Sequence, residues 1–265
     1  MFVTIINDCN SLNDFGRQAT RIFSLFGYAP VITVGIQFGG TCEAGGNLVD
    51  MLDAAGGQDG IILVNAAPRH GLGKKWPNGT PFGYFYYKKT LVISTVDGYC
   101  LSLVKKLGLL NTVYITDVSV VVDAMIAKKL LAPELRDNIV KSQFRSFEYV
   151  PRLAKWLTDK KINVPHKEYP KSNIADAPDA IWLVDGFGNC KTTMLAEEAG
   201  HKPGKIFKTK IGELTCYGRL KDVPDGQPGL IIGSSGFRLK RFLEIVVQGK
   251  SAAEKFKLAP GSEIF

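Results

Sequence analysis

Short apolar runs alternate with apolar stripes along the first two thirds of the chain. Phe2 to Ile6 is a run that ends in the polar pair Asn7-Asp8, which predicts a buried strand. Ser11 can cap a following helix, and Asp14 in its first turn suits the helix dipole. Ala19, Ile22, Phe23 and Phe26 then recur at helical spacing, and Gly27 ends the element. Val31 to Ile36 predicts a second strand. A helix from about Glu43 carries Ala44, Leu48, Met51, Leu52 and Ala55 on one face. Strands are predicted at Gly60 to Val64, Thr90 to Thr95 and Thr112 to Ile115, with a helix near Leu101 to Leu107. Such alternation predicts a mostly parallel sheet covered by helices.

The stretch Arg69 to Tyr84 breaks this rhythm. It is rich in glycine, proline and lysine, follows a strand end, and predicts a long functional loop. Val118 to Leu157 reads as helical with a break at Ala132-Pro133, and Asn163 to Pro178 is polar and proline-bearing. From Ala180 the texture changes. Short β-like runs occur at Ile181 to Val184, Lys205 to Thr209, Leu230 to Ile232 and Phe242 to Val247, followed by a helix signal at Ser251 to Phe256. The expected architecture is therefore α/β in class. An N-terminal α/β domain with a mostly parallel sheet (1–162) is joined by a linker (163–178) to a smaller C-terminal β-barrel or sandwich domain (179–265).

Composition narrows the function classes. Hydrophobic residues make up 45% of the 265, enough for a sizeable core. No apolar run approaches the roughly 20 residues that span a bilayer. The N-terminal segment has no basic stretch and turns polar too early for a signal peptide, so a cytoplasmic protein without membrane partners is expected. The five cysteines form no CxxC pair, and the three histidines are scattered, so neither a disulfide framework nor a metal site is expected. The net charge of +8 comes from lysines in separated pairs such as Lys88-Lys89 and Lys105-Lys106. No nucleic-acid-binding motif accompanies them, and nucleic acid is not the expected partner. The usual glycine-rich dinucleotide and P-loop fingerprints do not occur.

The most informative chemistry is Asp185-Gly186-Phe187-Gly188-Asn189, directly after the apolar run Ala180 to Val184. The glycines let backbone approach a ligand closely. Asp185 can accept from hydroxyls or an ammonium. Phe187 offers a flat face, and Asn189 can donate and accept together, as an adenine edge requires. The same letters also spell a tight turn between strands.

Several segments together make the chain resemble the S-adenosylmethionine hydroxide adenosyltransferases and their relatives, the fluorinases and chlorinases. These are Asp8 after the first strand, Asp97-Gly98 after a later one, Gln143 to Ala154, Asp185 to Asn189 with Thr192-Thr193, and Phe242 to Ala253. The resemblance implies substitution at ribose C5′ of S-adenosylmethionine by water or hydroxide, giving adenosine and methionine, with no cofactor. Halide-using chemistry, or binding without catalysis, are the alternatives. It further implies a homotrimer whose sites lie at subunit interfaces. Asp8 would hold the ribose hydroxyls and Asp185 the methionine ammonium. Phe187 and Asn189 would contact adenine, Ser234 and Ser235 the methionine carboxylate, and Gly249 would lie in the closing turn of the substrate site. Ser146 aligns with a serine that faces the halide in fluorinases. Two departures stand out. The family's Asp-Pro-Gly element reads Asn65 to Gly71 here without an Asp, and its His position is Arg145. Arg145, Ser146 and Arg69 are thus the expected catalytic residues. Positive charge from Arg145 or the Arg69–Lys75 loop would replace a histidine base, since a guanidinium does not act as a base near neutral pH.

Overall fold

The computed structural model describes residues 1–66, 76, 79–159 and 161–265. In chain order, β1 (Phe2–Asn7), α1 (Leu12–Phe26), β2 (Val31–Gly35), α2 (Thr41–Ala55) and β3 (Gly60–Asn65) follow the expected alternation. Then come β4 (Phe82–Tyr87), β5 (Thr90–Thr95), α3 (Ser102–Lys106), β6 (Val113–Thr116) and α4 (Val118–Ala127). The helices α5 (Arg136–Val140), α6 (Arg145–Glu148) and α7 (Val150–Thr158) lead to β7 (Lys167–Tyr169). These strands form one seven-stranded sheet in the order β2-β1-β3-β5-β4-β6-β7. The pairs β1–β2, β1–β3 and β3–β5 are parallel, and β4 and β7 run against the others. The mostly parallel sheet expected from the alternation is present.

Both faces of this sheet are covered, which is why β1, β3 and β5 are apolar almost throughout. On one face α2 and α3 bury Leu48, Leu52 and Val104. On the other, α1, α4 and α7 bury Ile22, Val122 and Leu153. The stripe of α1 is rotated from the expected one. Phe23 is 45% exposed, while Gln18 is buried and bonds to Asn7. A polar side chain takes a core position here because its partner is also buried.

The C-terminal domain holds β8 (Ile181–Val184), β9 (Cys190–Leu195), β10 (Ile206–Thr209), β11 (Gly212–Thr215), β12 (Pro228–Phe237), β13 (Lys240–Val247) and α8 (Ala252–Phe256). Four of these strands form an antiparallel sheet in the order β12-β13-β9-β8, and β10–β11 is a separate hairpin. Leu214 and Cys216 of the hairpin segment share a core with Ile181, Leu243 and Ile245 of the sheet. Four strands differ from the sequence reading. β4 begins at Phe82, inside the stretch expected to be irregular, because its aromatic residues suit a pleated surface. β7 lies inside the expected linker and extends the N-terminal sheet as a charged edge strand. β9 and β11 have too few apolar residues to show a run, being built of sequences such as CKTTML and GELT.

The two domains share α2. Its buried Gly45 and Gly46 leave a smooth face, and the fully buried ring of Trp182 on β8 lies against Gly46. One and two turns on, Asp50 accepts from Ser235 Oγ at 2.7 Å and from the Gly236 amide at 3.0 Å, and Asp53 pairs with Arg241 at 2.9 Å. Lys191 Nζ donates in turn to Ser235 Oγ at 2.7 Å.

A methyl group at Gly46 would overlap the Trp182 ring. Glycine to alanine inside a helix ordinarily stabilises by about 1 kcal/mol. Here Gly46→Ala is expected to destabilise by about 1–3 kcal/mol in urea unfolding, the cost of overpacking. An unchanged or raised midpoint would contradict the proposed seam.

Candidate functional site

The sheet order fixes where a ligand can sit. The chain leaves β1 to one side for β2 and returns on the other side as β3. Helices therefore diverge at the carboxyl ends of β1 and β3, and this crevice is where open α/β sheets take ligands. Asn7 and Asn65 stand directly opposite each other in register at this point, and Asp8 is the next residue.

The polar groups there are linked. Asn65 Nδ2 donates to Asn7 Oδ1 at 2.8 Å and lies 3.4 Å from Asp8 Oδ1. The Gly39 amide, from the turn before α2, lies 3.4 Å from Asp8 Oδ2. Asn7 Nδ2 donates to Gln18 Oε1 at 2.9 Å and lies 3.5 Å from Ser146 Oγ on α6. Asn7, Asp8, Gln18 and Ser146 are all buried, and so is Asp97 after β5. Burial pushes the Cys100 thiol up to about 12, helped by the nearby Asp8 and Asp97 carboxylates. Burial likewise takes Cys42 to about 12 and raises Glu43, whose carboxylate accepts from the Gln37 amide at 2.8 Å. Neither Cys42 nor Cys100 is a thiolate near neutral pH, so neither is a nucleophile there. Among the described residues no group of three or more His, Cys, Asp or Glu is placed to hold a metal ion, and no helix is long and apolar enough to cross a membrane.

The two described residues of the expected catalytic set, Arg145 and Ser146, have different surroundings. Ser146 joins the Asp8 cluster. Arg145, its neighbour on α6, points to Gly79 and over the Phe82 ring of β4, 5.4 Å from its centroid. Successive residues on a helix project about 100° apart, so a short helix cannot aim both into one pocket. Arg69, His70, Lys74 and Lys75 lie outside the described residues.

On the C-terminal domain, Asp185, Phe187 and Asn189 form one loop between β8 and β9. Asp185 Oδ1 accepts from the amides of Phe187 and Asn189, both at 2.9 Å, and Oδ2 accepts from Asn189 Nδ2 at 3.1 Å. The turn reading and the ligand reading thus apply to the same residues: the acid shapes the loop that presents Phe187, which is 84% exposed. Gly188 sits at φ 80° against Ser251, where any side chain would overlap the serine hydroxyl. Ser235 is engaged in the clasp with Asp50, Ser234 beside it is exposed, and Gly249 occupies a turn at φ 72° after β13. The hydrogen bonds of Asp185 and Asn189 stay within their own loop and none reaches the Asp8 cluster.

Sequence reasoning singled out Asp8 and Ser146 but not Asn7, Gln18 and the donor role of Asn65. A signal was available in the two asparagines that terminate neighbouring apolar runs. Gln18 carried none, since its burial depends on Asn7.

Comparison with known proteins agrees with this architecture. No curated protein matches the chain. A solved structure described as an uncharacterized conserved protein from Thermotoga maritima is 14% identical, with a TM-score of 0.66 and full coverage of both chains. A conserved hypothetical protein from Thermus thermophilus is 16% identical, with a TM-score of 0.60, covering 100% of this chain and 99% of that one. At such identities the likeness is one of fold. Residues 179–265 match the family described as the SAM hydroxide adenosyltransferase C-terminal domain. The matched residues, about a third of the chain, carry the Asp185–Asn189 loop and the closing β12–β13 hairpin.

Proposed function

We propose that the protein binds S-adenosylmethionine and displaces methionine from ribose C5′ with water, yielding adenosine and methionine. The observation that carries this reading is the buried acid Asp8 at the β1–β3 switch point, beside Ser146 and the Asn7–Asn65 pair, in a chain whose other domain is of the family type. A carboxylate can accept from both hydroxyls of a ribose. In the displacement a C5′–O bond forms as the C5′–S bond breaks. The bonding pair returns to sulfur, which leaves as a neutral thioether, and the proton lost by water passes to solvent. No general acid is needed for a sulfonium leaving group. The work of the site is to align water with the C–S bond and to replace its solvation by fixed dipoles. The hydroxyl of Ser146 and the amide of Asn7 are the described dipoles best placed for that task.

Within one chain the Asp185 loop and the Asp8 cluster belong to different domains. The exposure of Phe187 supports a site completed by the C-terminal loop of a second copy, as in a homotrimer. In that arrangement Asp185 meets the methionine ammonium, while Phe187 and Asn189 meet adenine.

Two experiments follow. Incubation of the purified protein with S-adenosylmethionine should give adenosine and methionine in equal amounts without added halide. A 5′-halogenated nucleoside formed only with halide would replace water as the nucleophile, and no product with either would leave a binding protein. Second, Asp185→Asn keeps an oxygen for the loop amides but removes the charge. It should weaken S-adenosylmethionine by roughly 1.5–3 kcal/mol and adenosine far less. Asp185→Ala should weaken both, because the loop itself loses its acceptors. Equal loss of both ligands in Asp185→Asn, measured by calorimetry, would remove the ammonium role.

A further inference from the structure

Arg145 lines a cavity of about 420 Å³ beside strands β4, β6 and β7 of the sheet, with no residue of the Asp8 cluster among its described lining. Its walls are mainly apolar: Trp76, Ile115, Val118 and Pro165 face it, with Lys167 at the rim. This is the size and character of a small-molecule pocket, in which a few polar groups fix orientation. The guanidinium is half-buried, rests on the Phe82 ring, and has no ion pair or hydrogen bond among the described residues. Residues 67–75, 77, 78 and 160 contain no Asp or Glu, so no carboxylate is available from them either. Asp117, the one acid among the described residues of the cavity wall, is engaged with Ser119 Oγ at 2.6 Å and the Val120 amide at 3.1 Å as the cap of α4. His166 is held through Nδ1 by Tyr84 Oη at 3.0 Å and the Val164 carbonyl at 2.8 Å. Desolvation pulls the Arg145 pKa below its ordinary value, as for a cation without its counter-charge.

We infer that this cavity binds a small organic carboxylate, its head group on Arg145 and its apolar body along Trp76, Ile115 and Val118. A guanidinium matches a carboxylate with two parallel N–H donors. The mostly apolar wall disfavours a polyanion, which would leave its remaining charges unpaired. The inference does not depend on the proposed reaction, since it concerns a different part of the sheet.

Benzoate, benzyl alcohol and inorganic phosphate serve as probes, titrated into the full-length protein by calorimetry. Benzoate is expected to bind at least about tenfold more tightly than benzyl alcohol, a difference of about 1.4 kcal/mol. Phosphate is expected not to compete. Arg145→Gln should abolish the preference for benzoate over the alcohol, and Arg145→Lys should restore part of it. Val120 is 53% exposed on the cavity wall, so Val120→Trp should fill the mouth and block benzoate without disturbing the core. Equal binding of benzoate and benzyl alcohol, phosphate binding as tight as benzoate, or full benzoate affinity in both Arg145→Gln and Val120→Trp would each overturn the assignment. Absence of benzoate binding in the wild type would do so as well.

Discussion

Both domains of this protein are built on one helix, and that is possible only because α2 carries glycine where the second domain meets it. Trp182 is fully buried against Gly46, while the opposite side of α2 packs Leu48 and Leu52 into the core of the large sheet. A helix buried on both sides has little room for polar groups. Two of its acids are spent on the far domain: Asp50 and Asp53 reach Ser235, Gly236, Arg238 and Arg241. The turn before this helix also supplies the Gly39 amide that faces Asp8. Seam, clasp and candidate site therefore hang on the same element.

That arrangement explains how acidic groups are tolerated inside the protein. Asp50 and Glu244 are raised by burial, with Lys191 acting in the opposite direction on both. A carboxyl whose folded pKa is raised contributes stability below its unfolded pKa, and that contribution is lost as pH rises through the folded value. Among the described residues, the Gly39 amide and the Asn65 side-chain amide meet Asp8, with the Cys100 thiol nearby. The cavity beside Arg145 sets a cation among mainly apolar walls.

Much of this was legible in the letters. The alternation of apolar runs and helical stripes specifies the parallel sheet, and strand-terminal Asp8 lies at its switch point because β1 is the strand around which the order reverses. Asp185 to Asn189 is a loop shaped by its own acid, in line with its composition. What the letters hid depends on partners distant in sequence. Gln18 looks like a surface residue until Asn7 is placed beside it. Ser235 looks like part of a turn until Asp50 arrives from 185 residues away. Arg145 and Ser146 look like one catalytic pair until the pitch of α6 sends them to different pockets. β7 is short and charged, so only its pairing with β6 identifies it.

The central claim is that Asp8 of one copy and Asp185 of another complete a single S-adenosylmethionine site. Subunit complementation tests it most directly. Asp8→Ala and Asp185→Ala proteins are prepared separately, then unfolded together and reassembled, with mixed oligomers verified by native mass spectrometry. Neither variant alone should bind S-adenosylmethionine in calorimetry, whereas mixed oligomers should regain a fraction of wild-type sites with wild-type affinity. Mixed oligomers that form but recover no binding, or a wild-type monomer that binds with full affinity, would contradict the account.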